Sequence, residues 1–279
     1  MKRMITNEMM DGFRKHLIED EKSQATIEKY MRDIHNFASF AAGRPVDKML
    51  LLDYKQQLGK TYALTSANSM LAAVNAYFDY AGWQECCVKQ FRIQRQAFCP
   101  VEKELTKEEY FRLVKAAQQN GNERLSLIIE TLAGTGIRIS ELENISVEAI
   151  MQGEAIVNCK GKSRRILLVK KLRRKLKSYI SRKKIESGPV FVSRSGRPLS
   201  RSNIWREMKR LCGKAGVSES KVFPHNFRHL FARTFYAIDK DIAKLADLLG
   251  HASINTTRIY IITTVAEHRR RMEKMQLII

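Results

Sequence analysis

Acid is what the sequence has least of where charge is concentrated. Between Glu154 and Glu186 there is no Asp or Glu, while 13 Lys or Arg occur. Paired cysteines are also missing. Cys86, Cys87, Cys99, Cys159 and Cys212 form no Cys-x-x-Cys motif and are odd in number. That excludes a zinc ribbon and argues against a disulfide framework, and it fits free thiols in a reducing cytoplasm. No apolar run approaches the roughly 20 residues that span a bilayer. The opening MKRMITNEMM has no apolar stretch of the kind a secretory signal needs. No cluster of carboxylates suggests a two-metal centre. His225 and His229 have the spacing of metal ligands, but no Glu follows the first and no third ligand is evident. No metal and no cofactor are therefore expected. Internal repeats and low-complexity tracts are absent too.

What is present is positive charge. The 279 residues hold 50 Lys+Arg against 29 Asp+Glu, a formal charge of +21. Residues 1–100 carry 14 basic and 11 acidic side chains, and the remainder carries 36 and 18. A balance of this kind points to a polyanion, most often nucleic acid, touched mainly by the second part of the chain.

The hydrophobic pattern divides the chain. Phe13, Leu17 and Ile18 recur at helical spacing, and Ser23 can cap a second helix carrying Ile27, Tyr30, Ile34, Phe37 and Phe40, ended by Gly43 and Pro45. Val46–Leu58 reads as a third helix. Thr65 or Ser66 can cap a fourth, with Leu71, Val74, Tyr77, Phe78 and Tyr80 inward and Gly82 beyond its end. Residues 1–92 are thus expected to form a small four-helix bundle. The pattern is lost over 93–104, around Pro100, where a linker is placed. Residues 105–279 form a second domain. It opens with a capping box, Thr106 and Glu109. AIVNC (155–159) and RILLV (165–169) flank the polar KGKS as a β-hairpin, and 170–184 is a basic amphipathic helix. VFVS (190–193) reads as a further strand and Asn203–Cys212 as a helix.

Four short motifs carry chemistry. In PHNFRH, Pro224 suits a first helical turn, which puts His225, Arg228 and His229 on one face. In LLGH, Gly250 suits a helix C-terminus and leaves His251 at its end, with Tyr260 nine residues on. GTGIRISEL (134–142) presents Arg138 and, three residues later, Glu141. NCKGKSRR places Lys160 or Lys162 at a hairpin turn. A phosphodiester can be cut without a metal by a nucleophile, fixed positive charge on the phosphate oxygens and a proton for the leaving oxygen. These residue types meet all three needs. Alone, each has a plainer reading as a core tyrosine, a helix ion pair or a surface histidine.

Taken together, in this order and at these spacings, the motifs resemble the tyrosine recombinases, the phage-integrase and Xer family. The detailed likeness covers roughly 105–262, and the bundle resembles the family's core-binding, SAM-like domain in pattern. The resemblance implies a mainly α fold with a small β-hairpin, a helical bundle followed by an α+β catalytic domain. It implies site-specific cleavage and rejoining of double-stranded DNA through a 3′-phosphotyrosyl link and a Holliday junction. Arg138 and Arg228 would clamp the scissile phosphate, because a guanidinium stays charged and meets two oxygens at once. His225 and His251 would bond its oxygens and help move protons. Tyr260 would be the nucleophile. Lys160 would protonate the leaving 5′ oxygen, with Lys162 its rival. Glu141 would orient Arg138, and His229 would pack behind the site. Lys162, Arg164, Arg165 and the Lys89, Arg92 and Arg95 group would touch backbone phosphate, with salt-sensitive affinity. The tail, 264–279, would dock on a neighbouring protomer of a tetramer on paired sites. A cytoplasmic protein of a bacterium or mobile element, without an added arm-binding module, is the expectation. The competing readings are a type IB-like topoisomerase and a non-catalytic DNA-binding regulator.

Overall fold

The computed structural model describes residues 3–93, 104–159, 162–193, 195–251, 253–258, 260 and 272–275, with the backbone alone of Cys159 and Lys162. The chain divides into two compact units, Met1–Arg95 and Gln96–Ile279.

The first unit is built from α1 (Asn7–Glu19), α2 (Gln24–Ala41), α3 (Lys48–Thr61) and α4 (Leu64–Tyr80). Three of the four begin where a side-chain oxygen accepts an otherwise orphaned backbone N–H. Thr6, Ser23 and Asp47 bond the amides of Met9, Thr26 and Leu50. The fourth begins at Ala63, with no side-chain cap, so Thr65 and Ser66 lie inside the first turn rather than before it. Phe13, Ile34, Phe37, Leu51, Leu71, Tyr77 and Phe78 fill the core, but Ile18 and Tyr80 are exposed rather than inward. Phe13 meets Tyr77 edge-on, with ring centroids 5.3 Å apart. Asn68 and Asn75, two turns apart on α4, act like strand partners. Asn75 donates to the carbonyl of Val88 at 2.9 Å and accepts its N–H at 3.1 Å. Asn68 does the same for Phe91 at 2.9 and 2.7 Å. The segment leaving the bundle is thereby fastened to it.

The second unit holds α5 (Lys107–Gln119), α6 (Glu123–Thr135), a 3₁₀ turn at Ile139–Asn144, α7 (Val147–Gln152), β1 (Glu154–Cys159), β2 (Lys162–Leu167), α8 (Lys170–Lys183), α9 (Arg201–Ala215), α10 (Pro224–Asp239), α11 (Ile242–Leu249) and the short α12 (Ile254–Arg258). Thr106 and Glu109 form the full capping box of α5. The central helix is α6, packed on α5 and α10 and buried along Leu125, Ile128, Ile129 and Leu132. Its end is set by Gly136 at φ +64°, where a Cβ would come within 2.5 Å of the Phe231 ring, so only glycine fits both the conformation and the space. β1 and β2 pair antiparallel from Glu154↔Leu167 to Cys159↔Lys162. This register turns Ala155, Val157 and Ile166 into the core and leaves Ile156, Arg165 and Leu167 facing out. The expected strand at 190–193 is not one. Val192 makes a single antiparallel bridge to Pro198, flanked by the Ser193 N–H to the Arg197 carbonyl at 2.8 Å and the Leu199 N–H to the Phe191 carbonyl at 3.4 Å, and the pairing goes no further among the described residues. Asp241 caps α11 by accepting from the amides of Ala243 and Lys244.

Among the described residues no helix is long and apolar enough to cross a membrane. Lys160, Arg95 and most of the 264–279 tail lie outside the described residues, as does the side chain of Lys162.

Candidate active site

The site is assembled at the first turns of α10, the end of α11 and Tyr260, two residues after α12. Pro224 opens α10, and the 3.6-residue repeat then puts His225, Arg228 and His229 on one side. Gly250 at φ +63° ends α11 in the left-handed conformation that favours glycine, and turns the chain so that His251 faces α10.

Arg228 is almost wholly buried, at 1% exposure. Its guanidinium donates to the carbonyls of Gly136 and, at 2.5 Å, Leu249, and to Nε2 of His251 at 2.9 Å. Since Nε2 accepts, the ring proton of His251 sits on Nδ1, from which it is donated to the buried Thr257 hydroxyl at 2.8 Å. Burial first, and then the charges of Arg228, Arg138 and Arg164, hold the His251 pKa down at about 4. Burial and the neighbouring Arg138 also lower Arg228 itself, to about 10, so it remains a cation at neutral pH.

Arg138 stands at the start of the 3₁₀ turn. Its backbone N–H and its Nη1 donate to the two oxygens of Glu141 at 2.9 and 2.8 Å, and its Nη2 donates to the Gly250 carbonyl at 3.3 Å. Arg164, from β2, donates to the same Glu141 carboxylate at 2.5 Å and to the Leu248 carbonyl at 2.6 Å. Burial raises the Glu141 pKa, but the hydrogen bonds from Arg138 and the charges of Arg164 and Arg138 outweigh it and hold the carboxyl below its usual range.

Tyr260 closes the site. It is 5% exposed, and its hydroxyl lies 3.1 Å from Nε2 of His225. Its ring lies against His229 at 4.2 Å between centroids and against His251 at 5.2 Å. Partial burial and the cations Arg228 and Arg138 lower the His225 pKa, so its imidazole is neutral near pH 7 and able to accept the tyrosine proton. His229 is lowered to about 4 by burial first and then by His225 and Arg233, so it also faces Tyr260 as a neutral ring.

The structure therefore brings together Arg138, Glu141, Arg164, His225, Arg228, His229, His251 and Tyr260. It leaves Arg165 out on the exposed face of β2, with a 3.7 Å contact to Glu154. Lys89 and Arg92 are exposed on the first unit. Sequence reasoning missed Thr257, which fixes the His251 tautomer, and the carbonyls of Leu248, Leu249 and Gly250. Nothing in side-chain spacing signals a backbone carbonyl.

Known proteins similar to this chain identify its family and fold. The phage integrase family model matches residues 103–267, and the phage integrase N-terminal SAM-like domain model matches residues 10–85. Tyrosine recombinase XerA of Pyrococcus furiosus is 30% identical over 281 residues, covering 98% of this chain and 96% of that protein. Tyrosine recombinase XerD of Halalkalibacterium halodurans is 27% identical, covering 96% of each. Among solved structures, XerA recombinase is similar at 27% identity and a TM-score of 0.55, covering 99% of this chain and 100% of that one. A lambda integrase dimer bound to a COC′ core site shares the fold at a TM-score of 0.75 and 18% identity, covering 92% of this chain and 95% of that one. The chain belongs to the phage integrase family and is a tyrosine-type site-specific recombinase.

Proposed function

We propose that the chain cuts and rejoins duplex DNA at a specific core site with Tyr260 as the nucleophile. The observation that carries this reading is the Tyr260 hydroxyl, 3.1 Å from the neutral His225 Nε2 and beside the buried cation Arg228. His225 takes the phenolic proton as the oxygen attacks phosphorus. Arg138 and Arg228 offset the charge that builds on the non-bridging oxygens. His251, held in one tautomer by Thr257, orders the Arg228 side of that clamp. His229 packs the Tyr260 ring. A lysine of the hairpin, Lys160 before Lys162, protonates the departing 5′ oxygen. The product is a 3′-phosphotyrosyl link and a free 5′ hydroxyl. Attack by a 5′ hydroxyl from the second duplex reverses the chemistry, so one phosphodiester replaces another.

Support for the DNA partner comes from the net charge of +21 and from similar proteins whose structures hold DNA. One is XerH bound to its difH substrate, and another is a lambda integrase tetramer bound to a Holliday junction. On that basis the working form is a tetramer on paired sites, acting in the cytoplasm of a bacterium or on behalf of a mobile element, with the 264–279 tail docking between protomers. Arg165, Lys89 and Arg92, exposed and basic, would meet backbone phosphate, and Arg95 and Lys162 would join them. The experiment is covalent capture on nicked duplex. Wild-type chain yields a protein–DNA adduct that survives denaturing electrophoresis. Tyr260→Phe binds the same duplex and yields none. An adduct in Tyr260→Phe would remove Tyr260 as the nucleophile.

A further inference from the structure

Three arginines from three separate elements meet three consecutive carbonyls at the end of α11. Arg164 of β2 bonds Leu248 at 2.6 Å, Arg228 of α10 bonds Leu249 at 2.5 Å and Arg138 of the 3₁₀ turn bonds Gly250 at 3.3 Å. These are the carbonyls that a helix leaves without intrahelical partners, and they carry the negative end of its dipole. Together with Glu141 they let three like charges sit side by side. Two of those arginines belong to the phosphate clamp. Arg164 does not: its side chain is only 11% exposed, and both terminal nitrogens are engaged, one with Leu248 and the other with the Glu141 oxygen opposite the one that holds Arg138 Nη1. Its neighbour Arg165 is 73% exposed. Arg164 also lies flat against the turn, since a Cβ on Gly250 would come within 2.3 Å of its Cδ.

We propose that Arg164 is a positioning residue that fixes the β1–β2 hairpin to the phosphate clamp. Lys160 lies between β1 and β2 in the sequence, four residues before Arg164. Arg164 joins β2 to the carboxylate that also holds Arg138 and to the carbonyl two residues before the one Arg138 meets. The hairpin is thereby anchored at a carboxylate that Arg138 holds independently through its own backbone N–H and Nη1. The part of this inference that concerns proton delivery rests on the reading of a hairpin lysine as the general acid. The tether itself does not.

The test uses the full chain and a duplex recovered from a random-sequence pool by covalent capture with wild-type protein. Two substrates are made from it, one with the ordinary scissile phosphodiester and one with a 5′-bridging sulfur. In the second, the Tyr260 oxygen forms the new bond to phosphorus and the P–S bond breaks, releasing a thiolate that needs no proton. Arg164→Lys, which keeps the charge but can serve only one of the two acceptors well, and Arg164→Ala are compared with wild type. A general acid contributes about 10²–10⁴-fold, and a misplacement of about 1 Å costs on the order of 10²-fold. The expected result is a loss of about 10²-fold on the ordinary bond, a rate within about threefold of wild type on the sulfur substrate, and unchanged DNA affinity. Equal loss on both substrates overturns the proposal and places Arg164 in the clamp alone. Weakened binding with normal cleavage overturns it in favour of a phosphate contact. Lys160→Ala and Lys162→Ala on the same pair report the general-acid reading separately, because the sulfur substrate rescues only the true acid. Amide hydrogen exchange reads the tether directly: Ala155–Asn158 and Ser163–Leu167 should exchange faster in Arg164→Lys, and unchanged exchange there overturns the proposal whatever the cleavage data show.

Discussion

Replacing Glu141 by Gln tests the electrostatic core of the site. In the wild type one buried carboxylate accepts from Arg138 N at 2.9 Å, Arg138 Nη1 at 2.8 Å and Arg164 Nη2 at 2.5 Å. Gln keeps the shape but removes the charge, and its NH₂ group replaces an acceptor with a donor aimed at a guanidinium. At least one of the three bonds must break. Arg164 is then left nearly buried without its counter-ion. A hydrogen bond to a charged group contributes about 1.5–3 kcal/mol, and removing one partner of a buried ion pair costs about 3–5 kcal/mol. The expected destabilisation of the second unit is therefore about 3–5 kcal/mol. The two tryptophans make the measurement clean, because Trp83 lies in the first unit and Trp205 in the second. In a Trp83→Phe background, denaturant unfolding followed by Trp205 fluorescence reports the second unit alone. Cleavage should fall as well, by about 10–100-fold, as Arg138 loses its orienting partner. A change below about 1 kcal/mol with normal cleavage would refute the reasoning, for it would mean that the α11 carbonyls hold both arginines without Glu141.

Gly250→Ala combines a left-handed backbone penalty of about 1–2 kcal/mol with a clash at Arg164 Cδ, so thermal unfolding should show a loss of about 2–4 kcal/mol, larger than at the open Gly213. Thr257→Val removes the acceptor for the His251 Nδ1 proton at little change in volume. Imidazole nitrogen NMR should show mixed tautomers, with cleavage reduced and DNA affinity kept. Acid should weaken the second unit in a defined window. His229 and His251 titrate near pH 4 in the fold and near 6.5 when unfolded, so their contribution is complete above pH 6.5 and is lost as pH falls toward 4. The loss attributable to His229, on the order of 2 kcal/mol, should disappear in His229→Gln when unfolding is compared at pH 7.5 and 4.5.

Most of the bundle was legible because its helices bury one stripe each, so Phe13, Ile34, Phe37, Leu71 and Phe78 recur at helical spacing. The start of α4 was misplaced, since Thr65 and Ser66 are good caps in general and the helix begins without one at Leu64. The apolar run at 190–193 reads as a strand, but a strand needs a ladder, and its pairing with 197–199 stops at one bridge. At the site the contrast is sharper. His225, Arg228, His251 and Tyr260 are visible as residue types at spacings that α10 and the α11 terminus convert into proximity. The partners of Arg228 and Arg164 are main-chain carbonyls, and any residue supplies those. From charge alone Arg164 and Arg165 look alike. Strand alternation sends one into the site and the other to solvent.

The carbonyl anchor at Leu248, Leu249 and Gly250 has a consequence for how variation in this enzyme should be read. Side-chain substitution cannot delete a carbonyl, so a scan with alanine would pass over the one structure that gathers all three arginines. Substitutions there reach the carbonyls only through backbone shape, with Gly250 the sensitive point, although Leu249 also packs in the core with Tyr260. Replacing the peptide bond after Leu249 by an ester leaves every side chain in place, weakens that acceptor and deletes the Gly250 N–H that donates to the Ala246 and Asp247 carbonyls, so it strikes the backbone that residue-by-residue mutation leaves untouched.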